Sequence, residues 1–469
     1  IAIVLSMLFA ACTTPSYPGI DRPNIGGSNS QTDRDIIAYI DERLENEYLW
    51  LDEVATKSHT FNRNVEWDDY LGASLSRLTT NGDDGYVNAK GQRVYYSFIR
   101  ELSNSLTRAE VKGFGIDMHT TIVIYDKDNN YYGFIIEDVL PDSPAEAADL
   151  RRGDVIVKVN NSYITPNNYV TLFNKVQING NLSKVDLQIY RRVGDSGAAE
   201  SLNVSLDAAY FSECKVAHSE IIEGEKRVGY IVYTGFEPAS DEALLAALQQ
   251  FDEAGVDEVI LDLRINSGGS VSSAQMLASA LLPASYEGAV LCEARRNPKN
   301  MYGNISEEFP LVECGVHLDL DHLTVITSSS TASASELIIM GLRGLDIPVT
   351  VVGSTTNGKN CGMDVTRRTI GTSYLEYAPI TFMCLNAKGE GDWGDGIQPD
   401  VDVMAMDESY PLPRAPWGSE YDVALMAALE SVGCEVSTTT RAMASESFDA
   451  ATILAEPIVG MRIYREDGE

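Results

Sequence analysis

The chain is 469 residues long, 44% hydrophobic and 22% charged, which is the make-up of ordinary globular protein with length for about three domains. Its 35 lysines and arginines stand against 69 aspartates and glutamates, a formal net charge of -34. That balance excludes functions built on neutralising phosphates, because nucleic-acid affinity comes mainly from lysine and arginine, and it disfavours docking on an anionic membrane face.

The first eleven residues, Ile1 to Ala11, are apolar apart from Ser6, and Cys12 follows Ala10-Ala11. Such a run is too short to cross a bilayer as a helix. It resembles the end of a secretory signal, and its small-small-Cys ending resembles a bacterial lipobox. The resemblance implies a signal segment over residues 1–12, Cys12 as the lipidated residue, and a lipid-anchored protein of the bacterial cell envelope, periplasmic or at the cell surface. Residues 13–32 are rich in Pro, Gly, Ser and Asn and read as a flexible tether. From Asp33, the residues Ile36, Ile40, Leu44, Tyr48 and Leu51 recur at helical spacing. Further helices are predicted over Trp67–Leu78 and Tyr95–Leu106, so residues 33–110 read as an N-terminal helical domain without a catalytic constellation.

From Lys112 the period shifts towards two. Gly113-Phe114-Gly115-Ile116 leads into predicted strands at Thr121–Tyr125 and Tyr132–Val139. Ser143-Pro144 opens a short helix, Gly153-Asp154 makes a turn, and Val155, Val157 and Val159 alternate as a half-buried strand. Alternation returns at Val185, Leu187 and Ile189. The run from Leu140 to Asn160 resembles the heart of a PDZ domain, expected over residues 111–193. That resemblance implies a peptide added as a strand to the sheet edge, its carboxylate facing the amides of a substrate-binding loop made of Gly113, Phe114, Gly115 and Ile116. Taken alone, the two glycines are a permissive turn.

After a surface turn at Gly194–Gly197, strands are predicted at Leu202–Leu206, Val228–Tyr233, Val259–Leu263, Leu323–Thr327, Val349–Val352 and Leu375–Leu385. They interleave with helices over Ala243–Phe251, Ser272–Leu282, a segment opening at Ser333, and Tyr421–Val432. This is an α/β layer with crossovers, spanning residues 194–435. Residues 436–469 read as a weakly ordered tail in which Ile458–Tyr464 is a candidate edge strand.

The chemistry centres on Ser333, at a strand-to-helix turn, and Lys359, at the end of the Asn357-Gly358-Lys359 loop after the next strand. Serine is a poor nucleophile until something accepts its proton. No histidine lies near either residue, and a lysine can serve if burial disfavours its charged form. Ser333-Ala334-Ser335-Glu336 also has the spacing of a helix capping box, which is compatible with a nucleophile at the same turn. The Ala334 amide and that of Gly268 or Gly269 are candidate donors to an oxyanion, and Ser335 is an alternative nucleophile. Beyond Cys12 the cysteines are Cys214, Cys292, Cys314, Cys361, Cys384 and Cys434. Their spacing selects no disulfide pairing and offers no Cys-x-x-Cys, so no metal or cofactor is expected. Cys361 reads as a packed thiol.

In order, the PDZ-like block, Leu261-Asp-Leu-Arg-Ile-Asn-Ser-Gly-Gly269, the Ser333 region, the Gly358-Lys359 loop and Gly396-Ile-Gln-Pro-Asp-Val401 resemble the carboxyl-terminal processing peptidase (tail-specific protease) family, over about residues 33–405. The resemblance implies an α/β, ClpP/crotonase-like catalytic core with an inserted PDZ domain and an N-terminal helical module. It implies a serine endopeptidase of the Ser–Lys dyad type, acting on protein substrates recognised at their C-termini. Ser333 would be nucleophile, Lys359 general base, and Ala334 and Gly268 the oxyanion donors. Three departures stand out. Ser267 replaces the usual proline before the glycine pair, the Ser333-to-Lys359 interval is one residue longer than usual, and Met363 or Asp364 stands where an amine-orienting glutamine is common. Two rivals remain: a catalytically inactive PDZ-containing peptide-binding lipoprotein, and acyl-thioester chemistry on a crotonase-like core.

Overall fold

Five apolar stretches, Val228–Tyr233, Glu258–Asp262, Leu323–Thr327, Val349–Gly353 and Val401–Asp402, run parallel in one sheet, with Val216–Ile222 antiparallel at its edge. The structure, a computed structural model, describes residues 30–79, 83–87, 93–102, 110–118, 122–126, 131–177, 182–193, 198–403, 414–434 and 452–454. Val228–Tyr233 and Leu323–Thr327 are buried at every position, as a parallel sheet covered on both faces requires. The period-two alternation sorts the strands onto two cores. Ile231, Leu261, Val325 and Val351 face helices Asp241–Ala254, Val271–Leu281 and Ala334–Gly344, while Tyr230, Ile260, Ile326 and Val352 face helix Val423–Ser431. A second sheet (Ser306–Pro310, Val290–Arg296, Ile380–Asn386, Cys361–Met363) lies beyond the Ala334–Gly344 helix. That helix approaches it closely at glycines: a Cβ on Gly341 would meet Leu291 Cδ1 at 2.5 Å.

The N-terminal segment holds helices Gln31–Glu47, Leu51–Lys57 and Trp67–Leu75. The third predicted helix, Tyr95–Leu106, is not formed. Its place is taken by strands Arg93–Tyr95 and Phe98–Glu101, the latter paired with Ser373–Ala378 of the α/β region. Val94, Tyr95, Phe98 and Ile99 suit a half-buried pleated surface, and the waiting partner strand decides the outcome. The N-terminal helices share one core with Cys361, Met363, Leu375, Tyr377 and Ile380. The single strand expected over Leu375–Leu385 is two, Ser373–Ala378 and Ile380–Asn386, divided at Pro379, which has no N–H to give to a ladder.

In the PDZ-like segment the strand order is Ala198–Asp207, Lys184–Val193, Val155–Val159, Tyr131–Ile135, Ile122–Asp126. Ser143 Oγ accepts the Glu146 N–H at 3.2 Å and caps the Pro144–Ala147 helix. Val155–Val159 is buried on both faces except at Lys158, because its second face packs with Ile135. Helix Tyr169–Val176 had no clear signal in the sequence. Strand Thr452–Leu454 of the tail lies antiparallel along the outer edge of Ile122–Asp126, with Ile453 opposite Val123. Cys12, the Gly194–Gly197 turn and the Ile458–Tyr464 strand fall outside the described residues.

A buried polar seam joins this segment to the α/β region. Glu137, fully buried, accepts from Arg414 Nε at 2.8 Å, and the Arg152 guanidinium lies 3.7 Å over the Trp417 ring. The indole N–H donates to Asp138 at 3.2 Å. On the same ring, at 5.4 Å, sits Arg264, which is paired with Asp262 and Asp422 and stands four residues before Gly268. Among the described residues no helix is long and apolar enough to cross a membrane.

Candidate active site

Strand Leu323–Thr327 delivers the chain to a tight serine-rich loop, and Ser333 then turns it into the helix with φ +60° and ψ -117°. A side-chain-bearing residue rarely adopts that conformation, and strain of this kind is held only where the surroundings over-determine it. The Ser333 hydroxyl is buried and makes no full hydrogen bond, although it stands in capping-box position towards the Glu336 N–H. The other half of the cap is firm: Glu336 Oε2 accepts the Ser333 N–H at 2.8 Å. The same oxygen accepts the Lys359 N–H at 2.9 Å, while Oε1 accepts the Gly358 N–H at 2.6 Å and the Thr356 hydroxyl at 2.5 Å. One fully buried carboxylate therefore ties the serine turn to the lysine loop. Burial raises its pKa to about 7, against the pull of those four donors, which favour the ionised form. A second tie runs from the Asn357 N–H to the Thr331 carbonyl at 2.9 Å.

Lys359 is 1% exposed. Its loop turns at Gly358, where φ is +90° and a Cβ would stand 2.3 Å from the Gly394 carbonyl oxygen. The amine lies 4.9 Å from the centre of the Tyr96 ring, and the Tyr96 hydroxyl donates to Asn357 Oδ1 at 2.8 Å. Nearby Asp84, also fully buried, accepts from the Tyr48 hydroxyl, the Ser97 N–H and the Ser97 hydroxyl. Burial pushes Asp84 up to about 6, and these donors and Lys359 pull it down.

Gly268 (φ +99°) packs against the serine turn so closely that a Cβ would meet Ala332 O and Ser333 Cβ at 2.8 Å and Ala334 N at 2.9 Å. Its amide donates to Asn266 Oδ1 at 2.8 Å, so facing an oxyanion would require leaving that bond. The Ala334 amide opens the helix, where first-turn N–H groups lack intrahelical acceptors. Ser335, the alternative nucleophile, donates its hydroxyl to the Asn266 carbonyl at 3.0 Å. Cys361 is buried and its thiol is pushed up to about 12 by that burial, which suits a packed side chain. All six described cysteines are free thiols.

In the PDZ-like core, Phe114 and Ile116 are fully buried, leaving only backbone for a ligand. Gly113 pairs with Ala209, and Gly115 (φ +77°) has no room for a Cβ against Ser143. The sequence brought Ser333, Lys359, Gly268 and Ala334 into view. It missed Asn266 and the pair Tyr96 and Asp84, and Glu336 was visible only as a cap through its Ser-x-x-Glu spacing.

Residues 227–403 match the model of peptidase family S41, and residues 135–182 match a PDZ domain. The chain is similar to the chloroplastic carboxyl-terminal-processing peptidase 1 of Arabidopsis thaliana, 25% identical over 65% of this chain and 58% of that protein. It is also similar to a probable CtpA-like serine protease of Staphylococcus saprophyticus, 26% identical over 71% of this chain and 62% of that protein. The chain thus spans about three fifths of the length of these relatives. Among solved structures, an S41 protease from Bacteroides fragilis, described as putative, superimposes with a TM-score of 0.67 at 25% identity, covering 84% of this chain and 96% of that one. The chain is a relative of the carboxyl-terminal processing peptidases, with an S41 peptidase domain over residues 227–403 and a PDZ domain over residues 135–182.

Proposed function

We propose that this protein is a serine endopeptidase in which Ser333 is the nucleophile and Lys359 its general base, on a ClpP/crotonase-like core. The observation that carries the reading is the Glu336 carboxylate, which accepts the backbone N–H groups of both residues while the Ser333 hydroxyl stays unpartnered. A neutral Lys359 amine takes the hydroxyl proton as Ser333 Oγ attacks the scissile carbonyl carbon. The developing oxyanion is met by the Ala334 amide and, once released from Asn266, that of Gly268. The resulting ammonium then protonates the leaving amine. Water, deprotonated by the same amine, releases the acyl group. No metal or cofactor takes part in these steps.

The PDZ domain binds substrate C-termini along its edge strand Ile122–Asp126, in place of the tail strand Thr452–Leu454 that pairs there, and helps deliver protein substrates. Cys12 anchors the chain by lipid to the bacterial cell envelope, and the tether of residues 13–32 gives it reach. The test is incubation of the purified protein with an unstructured protein substrate beside Ser333→Ala and Lys359→Ala. Cleavage by the parent and loss of about 1000-fold or more in both variants is expected. Equal turnover in all three, or none in any, overturns the reading in favour of a peptide-binding role. Lipidation is checked by labelling with a palmitate analogue, which Cys12→Ala must abolish.

A further inference from the structure

Tyr96 comes from a part of the chain with no sequence signal for chemistry, yet it touches the lysine loop twice. Its ring face stands 4.9 Å from Lys359 Nζ, and its hydroxyl holds Asn357 at 2.8 Å. The residue is 4% exposed. It is itself held, since its N–H donates to the Asp84 carbonyl at 3.1 Å while the Asp84 carboxylate grips Ser97 and Tyr48.

We propose that Tyr96 is a positioning residue for Lys359, its ring seating the amine and its hydroxyl holding the loop that carries it. This rests on the Ser333–Lys359 reading and deepens it. The face of an aromatic ring attracts an ammonium and is nearly indifferent to a neutral amine. In acyl transfer the lysine is neutral before it takes the serine proton and cationic afterwards, so the ring favours the state formed on the way to the tetrahedral intermediate. Other groups also act on the amine: the Asp84 carboxylate, the thiols of Cys361 and Cys384, and Glu336, which takes the Lys359 backbone N–H. A comparison of Tyr96→Phe with Tyr96→Leu isolates the aromatic face from all of them, because phenylalanine keeps the ring and loses only the bond to Asn357.

The experiment uses the full chain labelled with ε-carbon-13 lysine, the Lys359 signal being assigned with Lys359→Arg, together with the rate at which a fluorophosphonate acylates Ser333. In the parent and in Tyr96→Phe the Lys359 ε-methylene protons should show an upfield ring-current shift, absent in Tyr96→Leu. The amine's titration midpoint should fall in Tyr96→Leu relative to the parent and stay in place in Tyr96→Phe. Acylation should slow about 10-fold in Tyr96→Leu and about 3-fold in Tyr96→Phe. A parent signal without a ring-current shift, or a midpoint in Tyr96→Leu equal to the parent's, overturns the proposal. A parent that shows the shift but is acylated at no pH overturns the dyad and leaves the seat of the amine standing. Should Tyr96→Leu not fold, the parent's ring-current shift and the Tyr96→Phe rate decide.

Discussion

Replacing Glu336 by glutamine turns one oxygen into an amino group at a point where every neighbour is a donor. In the native protein Oε2 accepts from Ser333 and Lys359 at 2.8 and 2.9 Å, and Oε1 from Gly358 and Thr356 at 2.6 and 2.5 Å. Whichever way the new amide sits, one pair of these donors faces an NH2 and loses its acceptor. A buried donor left unsatisfied costs about 1–3 kcal/mol, so the pair costs roughly 2–6 kcal/mol. The lower end applies if the amide turns towards Thr356, whose hydroxyl can rotate. If half of that appears as displacement of the serine turn against the lysine loop, acylation of Ser333 falls about 10- to 100-fold, and the remainder lowers the thermal midpoint by a few degrees. The assay is the second-order rate of fluorophosphonate acylation beside a thermal melt. Glu336→Gln with the parent's rate and the parent's melting point refutes the claim that this carboxylate assembles the site.

The same carboxylate gives opposite pH trends for activity and stability. Its pKa, raised by burial to about 7, means that below this pH a proton enters a cluster of donors. Acylation is therefore expected to fall as pH drops through about 7, and that limb should be missing from Glu336→Gln. For stability the folded value lies above the unfolded one near 4.5, so the folded state binds the proton more tightly. The contribution is fully present below pH 4.5 and is lost as pH rises through about 7, roughly 3 kcal/mol in all. Asp84, raised to about 6, and Asp138, raised to about 7, both chiefly by burial, act in the same direction. The thermal midpoint of the parent should decline between pH 5 and 8 while acylation climbs, and a midpoint that rises across that window refutes the assignment.

Ser333→Gly should abolish acylation and raise stability by about 1–2 kcal/mol, because glycine adopts φ +60° and ψ -117° without strain; a lower melting point contradicts this. Gly268→Ala forces a methyl group to within 2.8 Å of Ala332 O and Ser333 Cβ at φ +99°. It should cost about 1–3 kcal/mol and remove about 100-fold or more of the acylation rate, and a variant acylated as fast as the parent contradicts it. Glu137→Gln removes the charge that faces Arg414 and Arg152 in the buried seam. It should cost about 3 kcal/mol and raise hydrogen exchange at the seam of the PDZ domain, and unchanged exchange there would show that the seam does not hold the two regions together.

The α/β region was readable because its strands and helices carry their own patterns. Val228–Tyr233 and Leu323–Thr327 have their predicted bounds, and the helix after Ser333 begins within a residue of its predicted start. Runs buried on both faces are visible as apolar blocks, and the glycines near the turns punctuate them. The misreading of Tyr95–Leu106 has a different origin. Arg93–Tyr95 and Phe98–Glu101 are short; the first pairs with nearby Gly85–Val87, and what makes the second a strand is a partner almost 280 residues away in Ser373–Ala378, which no local pattern encodes. The site divides along the same line. Ser333, Gly268 and Lys359 announce themselves by turn chemistry, whereas Asn266 also acts through bonds to Tyr233 and the serine turn that exist only once the strands are side by side.

That division explains why the N-terminal segment looked inert. Its helices bury Ile36, Ile40, Leu44 and Tyr48 against Met363, Leu375, Tyr377 and Ile380, so it cannot dock without covering the strand that begins two residues after Lys359. The Ser97 hydroxyl donates to Asp84 and accepts the Ile380 N–H at 2.8 Å, a tie of the segment's loop to the α/β region beside the Phe98–Glu101 strand pairing. Burial of the lysine is therefore a property of the joined structure: remove the segment and Tyr96, Asp84 and Tyr48 leave the amine's surroundings together, opening it to water, where its charged form is favoured. An S41 domain cut at residue 227 would retain Ser333, Glu336 and Lys359 in sequence and still lack the Tyr96 and Asp84 side of the surroundings in which Lys359 is proposed to act as a base.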